Sequence, residues 1–201
     1  MTPADNENSA IGEKPMLRRM LRERRARFVA DLSPSVRGIA FRVLPSPVLR
    51  RLPTVGVVSL YYPAEIEAPT AGIADQLEDL GYVLALPRMD RDTGAMQFAH
   101  WDREAILVPG PFRTLQPTPD AETVAPDIII APLLGFDSGL NRIGQGGGHF
   151  DRAFAAHPDA IRIGLGWSVQ EVERVPVESY DKPLDMVVTE RAVFEREQGT
   201  R

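Results

Sequence analysis

The sequence predicts an α/β protein: one three-layer domain built on a mixed, mostly parallel sheet. Short β-branched apolar runs recur at residues 54–60, 82–86, 128–131, 161–165 and 186–189, and read as buried strands. Segments of helical periodicity lie between them, at 14–30, at 71–80 and around Phe150, Ala153 and Phe154. Residues 96–101 alternate apolar and polar, the pattern of a half-buried antiparallel strand, which makes the sheet mixed. A chain of 201 residues with 43% hydrophobic content supplies one sizeable core.

Residues 1–13 are polar and hold no apolar stretch, so they read as a disordered leader and not as a secretory signal. The domain proper is expected over 14–201. In 14–30, Leu17, Met20, Leu21 and Phe28 fall on one side of a helix, and the arginines form a largely solvated face. Pro34, Pro45, Pro47 and Pro53 leave room for a short helix at 36–43 within a longer connection. The strand at 54–60 ends in Tyr61-Tyr62-Pro63-Ala64-Glu65. Loops beyond strand C-termini form the ligand crevice of α/β sheets, which places Glu65 where a ligand would sit. Glu67 competes as a plain helix-preceding acid. Gly81 closes the helix at 71–80. The partner of strand 96–101 is expected at 105–108, with His100 facing solvent and Trp101 either core or the wall of a pocket. Five prolines make 109–126 a surface wrap, and residues 167–172 a turn or short helix.

The densest signal runs from Asp127 to Phe154. Gly135, Gly139, Gly144, Gly146, Gly147 and Gly148 separate a strand from a helix, with Arg142 among them. Such a turn bares backbone N–H groups at a helix start and suits phosphate oxygens. It is no P-loop, because Gln145 and not Lys-Ser or Lys-Thr follows Gly144. The dinucleotide fingerprint fails too, with His149 where its last glycine belongs. A flexible surface loop is the alternative. Arg142 and the Asp151-Arg152 pair tilt the reading towards an anion and metal site.

The run Arg142-Ile-Gly-Gln-Gly-Gly-Gly-His-Phe-Asp151, preceded by Phe136-Asp137, resembles the signature of the 5-formyltetrahydrofolate cyclo-ligases, the methenyltetrahydrofolate synthetases. Blocks from Lys14 to Glu190 share the likeness. The resemblance implies a sugar-isomerase/CoA-transferase-like topology, with ATP and Mg²⁺ as cofactors. It implies ATP contacts from Lys14, Arg18, Arg142, Ile143, Gly144, Gln145, Gly146, Gly147, Gly148, His149 and Phe150. It implies folate contacts from Leu60, Glu65, Gln145, Gly146, Gly147, Gly148 and His149. Asp151 and Asp181 would be the metal-associated acids, and Arg142 and Asp151 the catalytic pair. The implied reaction closes 5-formyltetrahydrofolate to 5,10-methenyltetrahydrofolate with release of ADP and phosphate. Two positions depart from the signature. Gln145 stands where several relatives carry arginine, and His149-Phe150 replace two tyrosines. A protonated His149, with an ordinary pKa of about 6.5, would assist charge on the formyl oxygen, so turnover is expected to fall as pH rises through its titration. The departures keep two alternatives open, a member acting on another folate or formyl substrate and a non-catalytic nucleotide- or folate-binding protein.

Composition narrows the rest. No cysteine is present, which excludes disulfides and thiolate chemistry, and three histidines lack zinc spacing. No Gly-x-Ser-x-Gly elbow exists for a hydrolase. Residues 14–28 hold seven cations against Glu23 alone, so with a net charge of −5 the remainder carries −11. That argues against a general nucleic-acid surface, and no apolar run reaches the ~20 residues of a membrane span. A cytoplasmic monomer acting on small molecules is expected.

Overall fold

The computed structural model of the chain describes residues 3–90, 92–111 and 114–196. The elements in order are α1 Pro3–Asp31, α2 Pro34–Ile39, α3 Ser46–Leu49, β1 Val57–Ser59, α4 Ala71–Asp79, β2 Val83–Met89 and β3 Met96–His100. There follow β4 Val108–Pro109, β5 Leu115–Gln116, β6 Ile128–Pro132, β7 Gly135–Phe136, β8 Arg142–Ile143, α5 His149–Ala156, β9 Ile161–Leu165, β10 Met186–Val188 and β11 Val193–Glu195.

Seven strands pair in the order β11-β10-β9-β6-β1-β2-β3. The five inner strands are parallel, and β11 and β3 close the two edges antiparallel. Apolar residues alternate across the inner strands. Val58, Leu60, Ile128, Ile130, Ile163, Leu165, Met186 and Val188 face one core with Val29 of α1 and Ile73 and Leu77 of α4. Ile129, Ala131 and Val187 face the other, with Ala153 and Phe154 of α5. Both faces are therefore covered, which is why these strands read as continuous apolar runs. The chain leaves β1 for β2 on one side and returns to β6 on the other. The gap beyond the C-terminal ends of β1 and β6 is thus the switch point of the sheet, the usual crevice in such folds.

Three expectations change. The partner of β3 is β2, not residues 105–108. The cause is the turn between them: the Asp90 carboxylate accepts from the Thr93 N–H and hydroxyl, Gly94 N–H returns to the Asp90 carbonyl, and a hairpin closes. β4 pairs instead with β5 inside the proline-rich stretch. Helix α1 begins at Pro3, upstream of the expected start at Lys14. Met1 and Thr2 lie outside the described residues. The expected helix at 36–43 is found as α2, Pro34–Ile39, which ends before Phe41, whose φ of 57° is left-handed; α3 follows separately at Ser46–Leu49.

Among the described residues no helix is long and apolar enough to cross a membrane. His100 is exposed as expected. Trp101 is half-buried against the first core, and its indole N–H is buried without a partner.

Candidate functional site

The segment after β6 is built to hold a loop still. β7 and β8 form a two-stranded ribbon at the switch point. The buried Asp137 carboxylate accepts from the Asn141 N–H at 3.0 Å, its side-chain amide, and the Val175 N–H at 2.9 Å. Beneath the ribbon, Leu21 of α1 packs with Leu134, Ile143 and Val175. Sequence reasoning gave Asp137 no task. Its Asp-x-x-x-Asn spacing, a carboxylate able to bridge a tight turn, was the available signal.

From β8 the chain runs through Gly144–Gly148 into α5. Gly146 (φ 112°) and Gly148 (φ 64°) occupy left-handed conformations that side chains resist. A Cβ at Gly148 would also come within 3.0 Å of the Arg152 guanidinium. Gly148 is the residue that starts α5, and no side chain caps it, so the positive end of the helix is open to the loop.

Three arginines meet this loop, and Lys14 precedes the first of them by one turn of α1. Arg18 Nε donates to the Gly144 carbonyl at 3.0 Å. One turn on, Arg22 donates to the Gln145 side-chain oxygen at 3.0 and 3.1 Å. Arg142, only 7% exposed, donates through Nη2 to Asp151 at 2.9 Å and lies over the rings of Phe150 and Phe154. Its Nε is buried and has no partner. Lys14, 6% exposed, is bracketed by the carboxylates of Asp181, at 2.5 Å, and Glu178. The Tyr180 hydroxyl donates to Glu178 at 2.5 Å. That bond comes first among the causes that push Tyr180 up to about 12, followed by burial and then the charges of Glu178, Asp181 and Asp151. Lys14 and Tyr180, donating to Glu178, hold its carboxyl below the usual range. Glu178 and Tyr180 were not expected at the site. Only the Glu-x-x-Asp spacing before Asp181 hinted at them, because it lets the Asp181 carboxylate accept the Glu178 N–H at 2.8 Å.

The other expected residues fall as follows. Ile143 is buried beneath the loop, and His149 and Phe150 are half-buried where α5 begins. Burial first, then the nearby Arg152 charge, lowers the His149 pKa from its ordinary value, which works against the protonated ring expected from the sequence. Arg152 Nη2 lies 2.9 Å from His149 Nδ1. Glu65, beyond β1, is exposed, and its carboxylate has no ion pair among the described residues. Leu60 is different. It is fully buried in the first core and its N–H is bonded to the Ala85 carbonyl, so its side chain offers no surface to a ligand. Strand alternation, which points residue 60 into the core with Val58, accounts for this.

Comparison with known proteins agrees with this geometry. The model of the 5-formyltetrahydrofolate cyclo-ligase family matches residues 10–190. The 5-formyltetrahydrofolate cyclo-ligase of Escherichia coli (strain K12) is 30% identical over 184 residues, covering 88% of this chain and 100% of that protein. The enzyme of that name from Mycolicibacterium smegmatis is 29% identical over 140 residues, covering 66% of this chain and 72% of that protein. The NMR structure of Aquifex aeolicus 5,10-methenyltetrahydrofolate synthetase superposes with a TM-score of 0.73 at 25% identity, over 94% of this chain and 95% of that one. The glycine loop at the switch point, its ring of cations and a match spanning nearly all of the sequence lead to one conclusion: the chain belongs to the 5-formyltetrahydrofolate cyclo-ligase family.

Proposed function

We propose that this chain catalyses the ATP-dependent cyclisation of 5-formyltetrahydrofolate to 5,10-methenyltetrahydrofolate, releasing ADP and phosphate. The observation that carries this reading is the convergence of Arg18, Arg22 and Arg142 on the Gly144–Gly148 turn at the open start of α5, with Lys14 one helical turn before Arg18 on α1. A triphosphate needs that combination, backbone N–H groups for its oxygens and several cations for its charge. Arg142 and Asp151 are the catalytic pair in this reading. The unpartnered Arg142 Nε gives the guanidinium a donor still to spend. Gly144, Gln145, Gly146, Gly147, Gly148, His149 and Phe150 line the ATP, with Ile143 supporting them from below. Glu65, beyond the neighbouring strand, meets the folate.

The chemistry places little demand on side-chain nucleophiles. The formyl oxygen of an amide is a poor leaving group. Transfer of the γ-phosphoryl to it, with ADP leaving, turns that oxygen into a phosphate ester. N10 of the folate then attacks the formyl carbon, gives up its proton, and phosphate departs with the oxygen. The protein positions both substrates and offsets charge that spreads over the transferring phosphoryl, as in other phosphoryl transfers. Arg142, fixed by Asp151 and screened from water by Phe150 and Phe154, is placed for that task.

The residues present fit magnesium in part. Asp151 and Asp181 are hard oxygen donors whose charges both reach the Tyr180 hydroxyl. Among the described residues, however, no group of three or more histidines or carboxylates is close enough to hold a metal ion. A magnesium ion would therefore be held by Asp151 and Asp181 together with the triphosphate's own oxygens, and would shield the phosphate charge. We take the enzyme to act on these small molecules as a cytoplasmic monomer, with neither nucleic acid nor membrane as partner; the net negative charge outside residues 14–28 speaks against nucleic acid.

The test is direct. Purified protein with 5-formyltetrahydrofolate and Mg-ATP should generate the near-ultraviolet absorbance of the methenyl product, with ADP in equal amount. ADP without absorbance would separate ATP hydrolysis from ring closure and point to a member acting on another folate or formyl substrate. Neither product would leave a binding protein.

A further inference from the structure

Helix α1 touches both substrate loops. Lys14, Arg18 and Arg22 project towards the glycine turn and its carboxylates, while Arg25, three residues on, reaches the loop after β1. Arg25 is 4% exposed, its Nη1 is 3.7 Å from Glu67 Oε1, and its Nε is buried with no partner. Burial lowers its pKa, against the pull of Glu67. A guanidinium held this loosely and this deep is a poor stabiliser, and an apolar pair of similar volume would serve the fold as well.

What the pair does hold is the turn carrying Glu65. The second oxygen of Glu67 accepts the Ala64 N–H at 3.0 Å, directly beside Glu65. The Trp167 indole N–H donates to the Ile66 carbonyl at 3.2 Å, the Tyr61 hydroxyl to the Ala68 carbonyl at 2.7 Å, and Arg37 to the carbonyl of Glu65 itself. The backbone is thus pinned on both sides of Glu65 while its carboxylate points to solvent. Among the described residues, the Arg25–Glu67 contact is the ion pair that runs from this turn to the helix that also bears the ATP-facing cations.

We propose that Arg25 and Glu67 are positioning residues: the buried pair sets the Glu65 carboxylate at the folate site and fixes it relative to α1 and the ATP loop. This rests on the assignment of Glu65 to the folate above. The pair touches neither substrate and acts through Glu65.

The experiment compares wild type, Glu67→Gln, and the double variant Arg25→Met/Glu67→Leu, reading thermal melting, kcat and the KM for each substrate. The double variant is expected to melt no lower than wild type, with the folate KM raised about tenfold and the ATP KM unchanged within about twofold. Glu67→Gln keeps the Ala64 bond and loses the ion pair, so it should show the same split, smaller. Because it is isosteric, it carries the test should the double variant fail to fold. In a Glu65→Gln background the Glu67→Gln change should add nothing further to the folate KM. A wild-type folate KM in both variants, or equal rises in both KM values, overturns the proposal. A wild-type protein that forms no methenyl product overturns the functional reading first, so the two failures are distinguishable.

Discussion

Arg142 Nη2 meets Asp151 Oδ1 at 2.9 Å, joining the strand before the glycine turn to the first turn of the helix after it. The contact closes the loop like a clasp. It also means that Asp151 is more than a helix-start acid, since it is the carboxylate that neutralises a nearly buried guanidinium.

Asp151→Asn should therefore separate stability from turnover. The amide keeps an oxygen that Arg142 can donate to, so the loss of stability should be about 1 kcal/mol. Turnover should fall by about 10²- to 10³-fold, because the charge that orients Arg142 and favours a metal is gone. Asp151→Leu removes the acceptor as well and should cost about 3 kcal/mol by leaving a buried charge uncompensated. Melting temperature and ADP release, measured on the same samples, check both. Full activity in Asp151→Asn would reduce the residue to a structural role.

Glu178 gives a prediction in pH. Lys14 and Tyr180 hold its folded pKa below the ordinary 4.5, so the folded state binds a proton less readily than the unfolded chain. The stability it contributes is present above about 4.5 and is lost as pH falls through the depressed folded value. Glu178→Gln should lower the melting temperature at pH 6 and converge with wild type near pH 3. Parallel melting curves across that range would show that the Lys14 pair contributes nothing to acid stability.

The chain's layers were legible because burial imposes a period. Ile128–Ile130 and Ile161–Leu165 could only be strands covered on both faces, and Phe150, Ala153 and Phe154 only the inner side of a helix. The site's phosphate half was legible as well, through glycines needing left-handed backbone beside Arg142. Three things were hidden. β11, Val193–Glu195, is three residues long and only partly buried, too little to show a period. The hairpin from β2 to β3 turned on the Asp90 side chain and not on an apolar signal. Glu178, Tyr180 and Arg22 reach the site across 123 or more residues of sequence, so no local pattern could mark them.

Arg22 bears on the departure at Gln145. The loop itself carries no cation at 145, and α1 supplies one, with two donations to Gln145 Oε1. Arg22→Ala should raise the ATP KM roughly threefold, in keeping with an exposed charge contact. Gln145→Arg alone should bring no gain, since it sets two guanidinium groups against each other. The double variant Arg22→Ala/Gln145→Arg should recover the wild-type ATP KM. Additive losses in the double variant would show that Arg22 only steadies the loop.

His149 is the remaining departure, and here burial and Arg152 both work against the expected charge. A protonated ring beside the formyl oxygen would require a pKa near or above neutrality. Instead burial disfavours the charged ring, and Arg152, which donates 2.9 Å from Nδ1, adds repulsion to any proton placed there. Both effects favour the neutral ring, which still presents its flat face at the start of α5. The expected result is a histidine resonance that titrates below 6.5, with turnover flat between about pH 7 and 8.5 as far as this residue is concerned. Arg152→Ala should raise that pKa only partway to its ordinary value, because burial, the larger cause, is untouched. His149→Tyr should leave the shape of the pH–rate profile unchanged and alter the folate KM alone. A profile in wild type that falls through pH 6–7 and flattens in His149→Tyr would restore the protonated ring and put the depressed pKa in error.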